Sequence, residues 1–154
     1  VRLEELVRRT LRQNSLSLIE AGFSISQQGL DAVVMADATW MEFILGQLIS
    51  NAVKYRRQAP QLDFRAEKRT NAVLLRIRDN GLGIPAQDLP RVFEKGFTGA
   101  NGRKLGKSTG MGLYIVRKLC DKMSIAVEAA SMPCESTTIT LCFPLGDEYN
   151  LTKM

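Results

Sequence analysis

The chain has 154 residues, 45% of them apolar and 24% charged, a size and composition that predict one globular domain with its own core and argue against disorder. No stretch approaches the roughly eighteen consecutive apolar residues of a membrane helix, and the opening VRLEELVRRTLRQN is a charged amphipathic pattern, not a signal peptide. The net charge of +5 raises nucleic acid as a partner, but the basic residues are scattered over the first helix, Arg56 and Arg57, the alternating Arg76 and Arg78, and the segment GRKLGKSTG. Outside that last group they read as solvated faces, and no nucleic-acid partner is expected.

In chain order, Leu3, Leu6, Val7 and Leu11 have helical spacing, and the pattern continues less cleanly to Ala21. FSISQQG and AVVMAD read as short strands separated by Gly29. ATWMEFILGQLISNAVKYRR sets Met41, Ile44, Leu45, Leu48 and Ile49 at helical intervals behind Asp37 as N-cap. QLDFRAEKR and AVLLRIRD alternate on either side of TN, a hairpin signal. A glycine-rich stretch from Asn80 to Gly110 is too long for an ordinary connection and points to function. The helix MGLYIVRKLCDKM follows, then the strands SIAVEAA and STTITLCFP. This order predicts an α/β sandwich: one mixed sheet with helices packed on a single face. Cys120, Cys134 and Cys142 are odd in number and lack metal-ligand spacing, which favours reduced thiols over a disulfide framework or a zinc site. The sequon at Asn150 would matter only in a secretory pathway. The chain starts at Val1, without methionine and within a helical pattern, so it is expected to be a piece of a longer protein.

Three segments carry chemistry. Gln47, Asn51 and Lys54 or Tyr55, spaced by three or four residues, share one helix face. Side-chain amides suit a hard cation such as Mg²⁺ that takes its other ligands from water and phosphate, and lysine supplies a charge for the same phosphates; an exposed polar stripe is the competing reading. In RIRDNGLGIP, Asp79 leaves a strand where it can accept a hydrogen bond from an exocyclic amine such as that of adenine, while Gly81 and Gly83 let the backbone turn close to a flat ring. DNG as a mere tight turn is the alternative. In GKSTGMGLYIV, Gly106, Gly110 and Gly112 surround a helix start that Thr109 could cap, and free N–H groups there favour phosphate oxygens. The segment has neither the spacing of a Walker loop nor a preceding strand, which excludes a Rossmann turn.

Taken in order, QLISNAVKY, DNGLGIP, VFEKGFTG and STGMGLY resemble the N, G1, F and G2 boxes of the catalytic ATP-binding domain of sensor histidine kinases, in the superfamily shared with gyrase, a heat-shock chaperone and mismatch-repair ATPases. The resemblance runs from about Leu3 to Pro144, and RVFEKGFTGANGRKLGKSTGMGLYIV further resembles intramembrane-sensing kinases that act with peptide-antibiotic ABC transporters. It implies the two-layer Bergerat sandwich, a single domain over residues 1–154 with a helical entry at 1–21, and an F box and mobile ATP lid at 93–110. It implies ATP and Mg²⁺, with Asn51 and Gln47 at the metal and Lys54 and Tyr55 near the phosphates. Asp79 would receive the adenine amine beside Gly81, Gly83 and Ile84. Phe93 and Phe97 would anchor the lid; Lys107, Thr109, Gly110, Met111, Gly112 and Leu113 would line the phosphate end, with Arg103 and Lys104 nearby; and Thr138 would face the adenine through water. Two departures stand out: Gln47 occupies a position where many of these kinases have asparagine, and ESTTIT lacks the glycine usual before the threonine pair.

The sequence contains no histidine. A histidine kinase phosphorylates a histidine on a neighbouring helical dimerisation domain, so this chain is expected to bind ATP and donate, with that domain and a response regulator as partners, within the cytoplasmic part of a membrane-bound homodimer. The rivals are an ATPase of the same superfamily, whose general base is a glutamate at the site of Gln47, and an anti-sigma serine kinase.

Overall fold

The computed structural model describes residues 1–99 and 111–145. Two helices, α1 (Leu3–Gln13) and α2 (Ser15–Ala21), lead into strand β1 (Ser24–Gln28), the long helix α3 (Ala38–Lys54), the hairpin β2 (Gln61–Lys68) and β3 (Ala72–Asp79), a 3-10 turn at Leu89–Arg91, helix α4 (Gly112–Lys122), and strands β4 (Ala126–Met132) and β5 (Ser136–Pro144). The strands form one five-stranded sheet in the order β1-β2-β3-β5-β4. Only the β1–β2 pair is parallel, so the sheet is mixed, as the order of elements predicts.

The pairing register explains the alternation read from the sequence. Phe64 lies opposite Ile77, Ile77 opposite Ile139, and Leu75 opposite Leu141, which itself faces Val127. One face of the sheet is therefore apolar. It joins Leu3 and Val7 of α1, Ile44, Leu45 and Ile49 of α3, and Val116 and Cys120 of α4 in one buried cluster. The opposite face carries Asp63, Arg65, Glu67, Arg76 and Arg78, with exposed ion pairs such as Arg76 to Glu67 at 3.1 Å. Such a sheet can be covered by helices on one side only, which gives the two-layer sandwich. Among the described residues, no helix is long and apolar enough to cross a membrane.

Local chemistry sets the element ends. The Asp37 carboxylate caps α3 by accepting the Trp40 N–H at 2.9 Å. The helical pattern expected through Ala21 breaks at Asn14, whose side-chain amide donates to Thr10 O at 2.8 Å and competes with continuation of the helix. Gly22, at φ 79°, ends α2 in the left-handed conformation. AVVMAD does not form a strand. Ala32 and Val34 are buried and Val33 exposed, so the alternation is real; but Val33 meets only Arg2, the last residue before α1, and one bridge is all the pairing that the helix leaves room for. All three cysteines are free, and burial pushes the Cys120 thiol up to about 11. Asn150 lies outside the described residues.

Candidate nucleotide-binding site

Helix α3, the ends of β3 and β5, the loop after β3 and the first turn of α4 converge on one cavity of about 230 Å³. Gln47, Asn51, Lys54 and Tyr55 line it from α3, and Asp79, Gly83 and Ile84 from β3 and its loop. Phe97, Gly112 and Leu113 complete the set of predicted residues gathered there. Helical geometry explains the first group, because positions 47, 51 and 54 lie one above another beside the buried stripe that fixes α3 to the sheet. Among the described residues no hydrogen bond or ion pair engages the side chains of Gln47, Asn51 or Lys54. Two amides and an ammonium group, the latter 5.6 Å from the Tyr55 ring centre, thus stand on the cavity wall, a set suited to Mg²⁺ and triphosphate oxygens.

Asp79 lines the same cavity. One carboxylate oxygen accepts the Gly81 N–H at 2.9 Å, and the residue is half-buried. Burial raises its pKa above the ordinary 3.8, opposed by the Gly81 N–H and by the neighbouring Arg78 charge. The loop that follows is bonded on two sides. The Leu82 N–H donates to Tyr55 O at 2.9 Å, and the Cys134 N–H donates to Leu82 O at 2.8 Å. Gly83 sits at φ 72°, and a Cβ there would lie 2.6 Å from Met132 O. At Gly81 a Cβ would lie 2.6 Å from Tyr55 O, so this glycine serves close approach to α3 and does not itself line the cavity.

Other predicted residues are placed differently. Thr138 pairs with Arg78, on the polar outer face of the sheet, and cannot face the cavity; Thr137, which pairs with Asp79, lines it with Ile139. The structure thus puts Thr137, and not the expected Thr138, on the cavity side of β5. The period-two alternation of Ile139, Leu141 and Phe143 already carried that information. Phe93 packs against the core with the Arg117 guanidinium 5.5 Å from its ring centre, while Phe97 reaches the cavity wall with Arg91 at 4.3 Å. Met111 holds the N-cap position of α4 without a side-chain cap. Gly112 abuts Gln47, whose Oε1 lies 2.8 Å from where a Cβ would stand. Arg103, Lys104, Lys107, Thr109 and Gly110 lie outside the described residues, as does the larger part of the segment expected to form the lid. Sequence reasoning missed Ser50, Asp88, Val92 and Thr98, which also line the cavity. Only helical spacing from Gln47 and Lys54 could have flagged Ser50.

Residues 36–147 match the family of histidine kinase-, DNA gyrase B- and HSP90-like ATPases, and the chain belongs to that family. Among individual proteins, it is 38% identical over 125 residues to the sensor histidine kinase YxdK of Bacillus subtilis, covering 80% of this chain and 36% of that protein. It is 35% identical over 149 residues to the sensor protein BceS of Halalkalibacterium halodurans, covering 97% of this chain and 44% of that one. The chain thus spans less than half the length of these relatives. The fold matches the nucleotide-free catalytic domain of histidine kinase ThkA with a TM-score of 0.81 at 20% identity, over 97% of this chain and 96% of that one.

Proposed function

We propose that this chain is the ATP-binding catalytic domain of a sensor histidine kinase, which positions Mg-ATP and donates its γ-phosphoryl group to a histidine on a separate dimerisation domain. The observation that carries the reading is that one cavity is lined by Asp79 and by Gln47, Asn51 and Lys54, the last three with no hydrogen bond or ion pair among the described residues. A carboxylate recognises the exocyclic amine of adenine as an acceptor, and the α3 side chains match the triphosphate and its metal. Asn51, with Gln47 beside it, would hold Mg²⁺, which supplies charge neutralisation along the triphosphate. Lys54 adds a fixed positive charge there, and Tyr55 borders it. Gly112 and Leu113, in the first turn of α4, line the same cavity, and the N–H groups of a helix's first turn suit anionic oxygens. Phosphoryl transfer of this kind is catalysed by positioning and electrostatics, and the donor side needs no covalent chemistry from the protein.

Gln47 favours transfer over hydrolysis. As an amide it cannot accept a proton, so it offers water no general base. The chain has no histidine, so the acceptor belongs elsewhere in the protein. The partners entailed are a histidine-bearing dimerisation domain and a response regulator, within a membrane-anchored homodimer. An ABC transporter partner rests on the sequence resemblance to peptide-antibiotic sensing kinases alone. The test is to measure phosphate release from the chain with Mg-ATP beside label transfer to the protein's own upstream helical domain added in trans. The expected result is ATP binding, very slow phosphate release and acid-labile phosphohistidine on the added domain. Brisk phosphate release without phosphohistidine would overturn the kinase reading in favour of an ATPase.

A further inference from the structure

The loop after β3 is held from two sides by groups that do not themselves line the cavity. On the α3 side, the Arg57 Nε donates to Asn80 O at 3.0 Å while its Nη2 donates to Glu135 O at 3.2 Å. One guanidinium therefore ties the loop to the turn between β4 and β5. On the other side, the Ser131 hydroxyl donates its proton to Ser136 O at 2.7 Å and accepts the Ile84 N–H at 2.7 Å. Because Ser136 O can only accept, the hydroxyl's rotor is fixed and its lone pair is aimed at Ile84. The Cys134 N–H bond to Leu82 O, at 2.8 Å, lies between these two contacts. Residues 80, 82 and 84 are thus each bonded to, or bridged towards, the β4–β5 turn, and Gly83 packs on Met132 O with no room for a Cβ.

We propose that Ser131 and Arg57 are positioning residues for base recognition: together they clamp the Asp79–Ile84 loop to the β4–β5 turn and so set the distance between the Asp79 carboxylate and the base. The proposal rests on reading the cavity as a nucleotide site. Neither residue touches the cavity, so each acts only through the loop. On that reading the phosphates lie against α3 and α4; the loop meets α3 through the Leu82 N–H to Tyr55 O bond, which neither Ser131 nor Arg57 makes. Loss of the clamp therefore weakens recognition of the base and leaves recognition of the phosphates alone.

Calorimetry on the whole chain with Mg-ATP and, separately, with Mg-tripolyphosphate distinguishes base from phosphate recognition. Ser131→Ala is expected to weaken ATP binding about tenfold, since a part-buried N–H loses its acceptor. Ser131→Thr, which retains the hydroxyl, restores most of the affinity. Arg57→Lys, which cannot reach two carbonyls with a planar fork, gives an intermediate loss. Tripolyphosphate affinity stays at the wild-type value in all three, and the Ile84 amide exchanges faster in Ser131→Ala than in wild type. Unchanged ATP affinity in Ser131→Ala, or equal losses for ATP and tripolyphosphate, would overturn the clamp while leaving the nucleotide site standing. A wild-type chain that bound neither ligand would remove the nucleotide reading and the clamp's role with it. If Ser131→Ala does not fold, Arg57→Lys decides by the same two affinities.

Discussion

Replacing Asp79 by Asn separates binding from folding in a way the structure specifies. One carboxylate oxygen already accepts the Gly81 N–H at 2.9 Å, and the Asn carbonyl can take over that bond, so the loop keeps its anchor. What changes is the group offered to the cavity. An NH₂ donor replaces a charged acceptor, which on the proposed reading would face the amine of an adenine. Losing a hydrogen bond to a charged group costs about 1.5–3 kcal/mol, or roughly ten- to 150-fold in affinity. Stability moves the other way. Burial raises the Asp79 pKa in the folded protein, so the folded state holds this proton more tightly than the unfolded chain. The stability linked to that proton is fully present below the unfolded pKa and is lost as pH rises through the folded one. At neutral pH the ionised Asp79 is a small cost to folding, which Asn relieves. Calorimetric Kd for Mg-ATP and thermal melting of the same samples test the argument: affinity should fall while Tm holds or rises. An unchanged Kd would remove Asp79 from the base site, and a large fall in Tm would mean that the carboxylate is structural.

The same titration makes wild-type ATP affinity fall as pH is lowered towards the raised Asp79 pKa, because the protonated acid no longer presents a charged acceptor; the Asn variant should lack this component when both are titrated side by side. Gly83→Ala forces a side chain into φ 72° and a Cβ to 2.6 Å from Met132 O; the left-handed conformation alone costs about 1–2 kcal/mol, which a thermal melt should register as a loss of several degrees, with ATP binding lost in parallel. Gly46→Ala is the contrasting case: it lies inside α3, where a Cβ meets nothing within 4 Å, so the variant should gain about 0.5–1 kcal/mol in denaturant unfolding. A destabilised Gly46→Ala would show that α3 packs more closely at this position than the structure has it. Gly112→Ala brings a Cβ to 2.8 Å from Gln47 Oε1, the end of a flexible side chain; folding should be nearly unaffected while Mg-ATP affinity changes measurably, and an unchanged affinity would place Gln47 away from the metal.

The elements themselves were legible because they follow from short-range periodicity. The buried stripe of α3 and its Asp37 cap, and the alternation of β2, β3 and β5, are patterns that one helix or one strand imposes on its own residues. The site was legible for a related reason: Gln47, Asn51 and Lys54 sit on one turn-spaced face, and Asp79 and Gly83 are close in sequence to the strand end that aims them. AVVMAD shows the limit, since its alternation is genuine but a strand also needs a partner, and α1 removes that partner after one residue.

What the tertiary structure decided lies in the register between strands and in bonds between distant segments. Whether Thr137 or Thr138 shares a face with Asp79 depends on how β5 aligns with β3, and a shift of one residue exchanges the two faces. Arg57, which composition alone would leave as a solvated charge, instead bridges carbonyls at residues 80 and 135. Ser131 reaches Ile84 across 47 positions of chain. Periodicity speaks only for residues within a turn or a strand of one another. Contacts at such separations exist because the sheet order places the β4–β5 turn beside the end of β3, and that order is fixed by packing of the whole chain.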